Sequence, residues 1–555
     1  MNSQLTQPDK IVNVQTNKQS IARVFNVKAS AVAYLSTNLV LSGYSILYDR
    51  STQTCWNIGS ATGTVTSWSI SGSVLSLVTS NGTFSLAIAQ NLLTVDLDSI
   101  GDELEESLTA LVSNRTYKVM LFDSLATLVP NAAGDIAEVA YRVSGEAALA
   151  RPRGGGKFVA VAGSTTNDNG TLINSTGFYW KRIEFSEVTP QMFGAIVDGS
   201  TDNGVAIRTA VAYGLAAGIP TYLPTGNYVM LTGTITLGND QYIYGDGPGQ
   251  TVLNTAAALT AFTIKASSNN TRIKGMSIYS TGTSRTNGTY GIYSNAGSLA
   301  TGIGYLDIDD VDIIGYAIGV YWGYNQLGRI RNSSVGFCGY GLYSNLSINM
   351  RIDGNRFNNN YNVTISITGG SAANTSYSAG ILISNNEIVN GGYSGAQSIL
   401  IQYTEHFTLS NNMIDAPQSA ATHAVHLIGV ARGTISSNWI GAHPSEGVRL
   451  ENCQAVMVNA NNILSHGAEG VAMLGTTTGC IINANIFEAN TGTDILAGGT
   501  SSLNTFTNNQ CRSSTASYSY AESASGMNNI VTGNMFNQPQ TYDTVNIVFA
   551  NNKTY

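Results

Sequence analysis

The chain has 555 residues, too many for one ordinary core, and only 11% of them are charged while 43% are hydrophobic; this excludes a disordered chain and points to several domains or a repeat array. A net charge of −8 argues against a nucleic-acid partner, and no run of apolar residues is long enough for membrane insertion. Cys55, Cys338, Cys453, Cys480 and Cys511 are odd in number with no CxxC spacing, so neither a disulfide framework nor a metal site is expected, and no cofactor is implied.

Met1–Leu5 lacks the basic start and apolar run of a secretory leader, which fits assembly in a reducing cytosol. Residues 1–30 are polar and weakly patterned, an arm or attachment segment. From Ala31 to Ala89 polar and apolar residues alternate like short antiparallel strands, and Ser71–Gly72 and Asn81–Gly82 suit hairpin turns. Asp96, Asp98, Asp102, Glu103, Glu105 and Glu106 surround Leu104, Leu108 and Leu111, the pattern of a short acidic helix with a solvated face. Residues 116–187 form a second compact unit, the small linking module. Its Gly154–Gly155–Gly156 is read as a tight turn, since no Gly–Lys–Ser/Thr ending leads into a helix. Residues 206–218 then read as an amphipathic helix stopped at Gly218; a capping helix over about 204–217 would cover the open apolar end of a solenoid.

Phe193–Gly194–Ala195, Asp198–Gly199, Asp202, Ala206–Ile207 and Tyr222–Leu223–Pro224 through Gly226–Asn227–Tyr228 resemble the opening of the pectate-lyase-like right-handed β-helix. The upstream Gly154–Gly156, Phe158 and Trp180–Lys181–Arg182 resemble the module that joins phage tailspikes to their β-helix. With the repeats below, the resemblance spans about residues 118–540. It implies a virion tailspike of the polysaccharide-depolymerase kind. Such a protein would be a homotrimer held to the phage tail or baseplate through its N-terminal region, acting on a bacterial surface polysaccharide at the cell surface.

From Ile352 onward one phrase returns, apolar–x–x–Asn–x–apolar, with its asparagine at Asn355, Asn386, Asn412, Asn438, Asn461, Asn485, Asn509 and Asn534. Near-constant spacing of this kind marks a solenoid whose repeats stack on their neighbours. Asparagine suits the tight turn between two strands because it tolerates the left-handed conformation, and stacked amides can hydrogen-bond along the array. A further strand in each rung reads Gly–apolar–x–apolar, as at Gly291, Gly319 and Gly341. The expected fold is therefore all-β: a right-handed parallel β-helix with three strands per rung over 188–540, small mixed N-terminal domains over 1–115 and 116–187, and a short C-terminal strand and tail over 541–555. That tail leaves little room for a separate lectin domain.

Strand alternation assigns the outward side chains. Tyr293, Tyr321 and Tyr343 form a ladder on successive rungs, either a sugar platform or a packing surface between copies. Two acid-rich neighbourhoods are candidates for catalysis: Asp307, Asp309, Asp310 and Asp312, expected beside the tyrosines, and Glu387 with Asp415, flanked by Arg356 and near Glu405 and His406. Glycoside hydrolysis needs such paired carboxyl groups, one to protonate the leaving oxygen and one to activate water or attack. The catalytic candidates are thus Glu387, Asp415, Asp307 and Asp312, although Asp307 also has the option of pairing with Arg329. Arg351, Arg356, His426 and Trp439 join the three tyrosines as substrate-binding candidates. His423, His426, His443 and His466 are placed on different turns, mostly at the surface. Two other readings stay open: a polysaccharide lyase using His406 or a tyrosine as base with Arg329, Arg351 or Arg356 to neutralise a sugar carboxylate, and a non-enzymatic receptor-binding fibre.

Overall fold

A computed structural model of the chain describes residues 116–145, 154–282, 289–370, 378–393, 395–523, 528–542, 544 and 546–555, and the backbone of short strands between residues 21 and 87. Among the latter, Gly63–Ser71, Val74–Thr79 and Gly82–Ala87 pair antiparallel in succession, as the hairpin spacing predicts. The acidic helix expected over 95–112 lies outside the described residues, as does most of the N-terminal arm.

The linking module is a five-stranded sheet of Thr116–Leu121, Ile136–Tyr141, Gly156–Ala162, Leu172–Ser175 and Phe178–Ile183 around Phe122, Phe158 and Trp180. Arg182 explains its glycine triplet. The buried guanidinium donates to the carbonyls of Gly154, Gly155 and Gly170 and lies 4.5 Å from the Phe158 ring centroid. A Cβ on Gly155 would fall 2.2 Å from the Ala140 carbonyl oxygen, so the triplet is a close-packing device as well as a turn.

The linking module leads into a parallel β-helix. One sheet, here the paired sheet, takes two strands from most coils and holds 27; the other, the single sheet, takes one strand from each coil and holds 13. Three strands per coil result, as the phrase spacing implies. The helix Gly204–Ala217 closes the first coil, with Ile207 and Val211 continuous with the solenoid core and Gly218 ending it in the left-handed conformation. The paired sheet continues past 540 through Val548–Ala550 and Lys553–Thr554, so the expected tail is the last coil. Isoleucine, valine, leucine and phenylalanine fill the interior from Leu223 to Phe536.

The repeated asparagines lie inside the coil. Each Nδ2 donates to the Oδ1 of the next, from Asn355 through Asn386, Asn412, Asn438, Asn461, Asn485, Asn509 and Asn534 to Asn552, at 2.9–3.1 Å. Each Oδ1 also accepts the backbone N–H of the asparagine before it, as Asn461 does from Asn438. The left-handed residue is not the ladder asparagine. It stands one position earlier, at Asn385, Asn411, Ser437, Ala460, Ala484 and Asn508. The amide ladder is thus what demands asparagine; satisfying every buried polar atom of the turn offsets the strain of a left-handed alanine beside it. The Gly–apolar phrase has a different cause: a Cβ on Gly319 would meet Val335 Cγ1 at 2.4 Å and the Gly341 carbonyl at 2.7 Å.

Candidate functional site

Backbone register stacks the outward side chains in columns. On the paired sheet, Arg272, Asp307, Arg329 and Arg351 form one column and Lys274, Asp309, Arg331 and Asp353 another. Asp307, 7% exposed, accepts from Arg329 at 2.6 and 2.8 Å and faces Arg272 at 3.4 Å from the coil before. Asp309 meets Lys274 at 3.2 Å, Arg331 at 3.1 Å and Asn332 at 3.0 Å; burial raises its carboxyl, but these partners outweigh it and hold the pKa down. Asp307 is therefore a fixed counter-ion whose two oxygens are already taken. It sits on a different sheet from the tyrosines, which corrects the expectation that the two lie side by side. Asp312 is half-buried over Ser277, and burial with the neighbouring Asp310 charge raises its pKa.

Farther along the same sheet, Ser334, Arg356, Glu387, Met413 and Trp439 follow in one column. Glu387 Oε2 lies 3.5 Å from Arg356 Nε, and the Trp439 indole donates to Asp415 Oδ2 at 2.9 Å. Glu387 and Asp415 are one coil apart and two residues out of register, which puts their backbones about 8 Å apart. Both carboxylates thus face outward, each with one partner on an adjacent coil. Beyond them runs a column of Met457, Ile481, Thr505, Ile530 and Val548, whose four apolar members are 38–56% exposed.

The single sheet carries the tyrosines. Tyr293 stacks on Tyr321 at 5.1 Å and Tyr321 on Tyr343 at 5.5 Å, with Tyr290 and Tyr340 packed against the ladder's ends. Rings at that spacing cover one another's faces. What the ladder offers to a ligand is edges and hydroxyls about one coil apart, so the flat platform expected from sequence is not available between the rings. Burial pushes the Tyr321 hydroxyl up to about 12, keeping it a neutral donor and acceptor.

In register with Tyr293, Tyr321 and Tyr343 come Ser366, Leu400, His426 and Arg449. The backbone bonds Ser398 N to His423 O, Ala424 N to Glu446 O and Gly447 N to Glu469 O stack a parallel column of Gln397, His423, Glu446 and Glu469. These two columns meet in a dense polar cluster. His423 Nδ1 lies 2.6 Å from Glu446 Oε2, Arg449 donates to Glu446 Oε1 at 3.1 Å and to Glu451 Oε2 at 3.3 Å, and His426 Nε2 lies 3.3 Å from Glu451 Oε2. Gln397 Nε2 approaches His426 Nδ1 at 3.3 Å, and the rings of His423 and His426 meet edge to face at 4.9 Å.

The electrostatics divide the cluster. Burial raises the Glu446 carboxyl, but His423 and Ser445 together bring it well below the usual range. Glu469, directly above it, goes the other way: burial lifts its pKa and the Glu446 charge adds to the lift. Burial, with the neighbouring His423 and Arg449 adding to it, presses His426 down to about 4. Neighbouring carboxyl groups with opposed shifts are the arrangement that lets one remain ionised and the other hold a proton.

Of the sequence candidates, the structure brings Tyr293, Tyr321, Tyr343 and His426 onto one face. Glu387, Asp415, Arg356, Trp439, Asp307, Asp312 and Arg351 lie on the other sheet. The histidines are not spread over separate turns: His423 and His426 share a coil, and His443 and His466 are buried inside a corner, 6.0 Å apart, with pKa values lowered by burial to about 4 and about 3. Sequence reading passed over Glu446, Arg449, Glu451 and Glu469 as a group. The signal was present, since Glu446–Gly447–Val448 and Glu469–Gly470–Val471 repeat the single-strand phrase with an acid two places before its apolar residue. Cys338, Cys453, Cys480 and Cys511 are buried and free, and no metal-binding group of histidine, cysteine and acidic residues exists among the described residues.

Residues 119–185 match the phage tail protein small four-stranded beta-sheet domain, and residues 397–554 match the right handed beta helix region. The chain is 25% identical over 367 residues to a depolymerase of Klebsiella phage K64-1 described as capsule KN4-specific. The match takes in 61% of this chain and 42% of that protein, so the chain spans less than half the length of this curated relative. Among solved structures, the A-module of the Azotobacter vinelandii mannuronan C-5 epimerase AlgE6 aligns with a TM-score of 0.48 at 18% identity, covering 66% of this chain and 99% of that one. Tailspike protein 2 of an Escherichia coli O157:H7 bacteriophage aligns with a TM-score of 0.45 at 18% identity, covering 91% and 63%. The chain thus joins a small β-sheet domain similar to one found in phage tail proteins to a parallel β-helix.

Proposed function

We propose that this protein is a phage tailspike that binds a bacterial surface polysaccharide, capsule or O-antigen, along its β-helix and cleaves it within the chain by glycoside hydrolysis. The observation that carries the reading is the 367-residue similarity to a capsule depolymerase in a chain that also bears a phage tail domain. On this reading the protein resides in the virion tail and acts at the host cell surface, with the N-terminal region toward the tail. The tyrosine ladder supplies hydroxyls at one-coil intervals, suited to the repeating hydroxyls of a glycan laid along the solenoid. Glu387, Asp415, Arg356 and Trp439 offer a second contact surface of the same kind on the paired sheet. Self-association, as a homotrimer, is supported by the exposed Met457, Ile481, Ile530 and Val548 of one column, interrupted by Thr505, apolar surface that association would remove from water.

Hydrolysis is favoured over elimination by carboxyl groups with opposed shifts in one cluster. Elimination has one specific observation on its side. Arg449 and His423 both meet Glu446, which brings a cation for a sugar carboxylate near a base. Purified capsules, the KN4 capsule of Klebsiella first, are incubated with the full chain; polymer length is followed by size-exclusion chromatography and new unsaturated sugar by ultraviolet absorbance. Shorter chains without the absorbance are expected. Shorter chains with it convert the reading to a lyase, and unchanged length throughout the panel overturns cleavage and leaves a receptor-binding fibre.

A further inference from the structure

We propose that the cluster of His423, His426, Glu446, Arg449, Glu451 and Glu469 on the single sheet is the cleavage centre, with Glu469 as the proton donor and His423 as the base. This inference rests on the hydrolytic reading above and deepens it by moving the reaction off the paired sheet.

The geometry starts from the stack. Glu469 sits one coil above Glu446, about 4.8 Å away along the backbone, because Gly447 N donates to the Glu469 carbonyl at 2.9 Å. On the paired sheet the buried acids Asp307 and Asp309 are followed by cations, Arg329 and Arg331. In this stack an acid follows an acid, and the cation, Arg449, is drawn to Glu446 and Glu451. Glu469 is left half-buried beside a carboxylate, and it holds its proton more tightly than an ordinary glutamate. That is the state a general acid requires.

His423 is the complement. Its buried Nδ1 lies 2.6 Å from Glu446 Oε2 without the alignment of a hydrogen bond, so the carboxylate holds that edge of the ring and Nε2, on the opposite edge, is the nitrogen placed to accept a proton. Among the described residues no protein group hydrogen-bonds that Nε2. Glu446 is in turn anchored by Arg449 and by Ser445. It is a positioning residue that also stabilises the imidazolium formed during the reaction. His426, with Nδ1 toward Gln397 and Nε2 toward Glu451, has both nitrogens engaged and remains neutral, so it serves as a hydrogen-bonding neighbour.

The step balances with water as the only co-reactant. The water oxygen attacks the anomeric carbon and gives a proton to His423 Nε2. The bond from that carbon to the glycosidic oxygen breaks with its electron pair on the oxygen, and Glu469 protonates it. One linkage and one water become a reducing end and a free hydroxyl, and the proton on His423 returns to Glu469 through solvent. The substrate class follows from position. Tyr343 and His426 occupy the same column three coils apart, roughly 14 Å, so a glycan several sugars long spans from the tyrosine hydroxyls to the cluster. The enzyme then acts on internal linkages of a polymer.

The test compares full-length wild type with Glu469→Gln, His423→Asn, Glu446→Gln and, as the rival site, Glu387→Gln, on a panel of purified capsules including KN4, reading reducing ends. Glutamine matches the size of the protonated acid, and far-UV circular dichroism with a thermal melt establishes that each variant folds. Expected are a loss of kcat of about 100-fold or more for Glu469→Gln and His423→Asn with KM within about threefold, whereas Glu387→Gln, a change in the second contact surface, should act on KM and leave kcat within about threefold. Glu446→Gln should lose kcat in part. A wild type that cuts, with Glu469→Gln and His423→Asn cutting at similar rates, overturns this assignment and leaves the function standing. Products carrying an unsaturated sugar overturn the hydrolytic step. A wild type that cuts no capsule overturns the functional reading and this inference with it. Should His423→Asn melt early, Glu469→Gln alone decides.

Discussion

The two outer faces of the solenoid use the same repeat in opposite ways. On the paired sheet Asp307 and Asp309 each have cations on both adjacent coils, Arg272 and Arg329 for one and Lys274 and Arg331 for the other. On the single sheet, acid lies over acid at Glu446 and Glu469, and two histidines share a coil. Such pairing keeps Asp307 and Asp309 as bound counter-ions and contributes to stability. Repetition of like groups costs stability and shifts the Glu469 carboxyl upward, the kind of perturbation that accompanies groups that move protons. A solenoid makes the distinction plain because its register fixes who stands over whom.

The largest effect expected from breaking this contrast lies in the spine beneath the paired sheet. Asn461 donates to the Ile435 carbonyl and to Asn485, and accepts both the backbone and side-chain N–H of Asn438. Asn461→Ala leaves several buried polar groups without partners and should cost about 4 kcal/mol. Denaturant unfolding measures it; a loss below about 1 kcal/mol would mean that strand pairing alone holds the coil.

The next effect belongs to the single sheet. Asp494, fully buried at the strand Thr493–Ala497, accepts from Asn490 and Ser513 through Oδ1, while Oδ2 has no hydrogen-bond partner. Burial pushes its carboxyl up to about 6 from 3.8. Its folded pKa is raised, so between those values the fold keeps a proton that the unfolded chain has released. Stability present at low pH is therefore lost as pH rises through that window, roughly 3 kcal/mol in all. Asp494→Asn should flatten this dependence, with midpoints compared at pH 4 and pH 7.5. An unchanged slope would place the titration elsewhere.

Asp307→Asn sharpens the comparison from the other side. It leaves Arg329 and Arg272 without their shared carboxylate and should cost 1–2 kcal/mol, moderated because both arginines reach solvent. Cleavage per folded molecule should stay within about threefold of wild type. A larger loss would return catalysis to the paired sheet.

The sequence disclosed the fold through two periodicities, because an inward amide ladder and a close-packed glycine each tolerate few substitutes. Outward columns were legible for the same reason: once Asn355 and Asn386 set the register, Arg356 and Glu387 had to adjoin. The turns connecting the sheets were harder to read, being variable in length. Assigning Asp307 to the neighbourhood of Tyr321 failed there, since the chain crosses from one sheet to the other between Ile314 and Ile318. The Glu446–Glu469 stack escaped notice because a lone acid before Gly–Val looks like any solvated position until the coil above supplies another.

Tyr321→Phe carries the smallest effect and asks the narrowest question. The Tyr321 ring is held between Tyr293 and Tyr343, and phenylalanine preserves that stack. Stability should change by a few tenths of a kcal/mol, as for a half-exposed hydroxyl. If the ladder presents hydroxyls rather than ring faces, polysaccharide KM should rise several-fold with kcat unchanged, because the lost contact is made equally before and during reaction. If ring faces did the binding, phenylalanine would bind as well as tyrosine. The reading then passes to Trp439, 42% exposed on the paired sheet, whose indole edge is fixed by Asp415. A change in KM for Trp439→Ala but not for Tyr321→Phe would mean that the glycan lies across that sheet, and the contrast between the two faces would have to be redrawn.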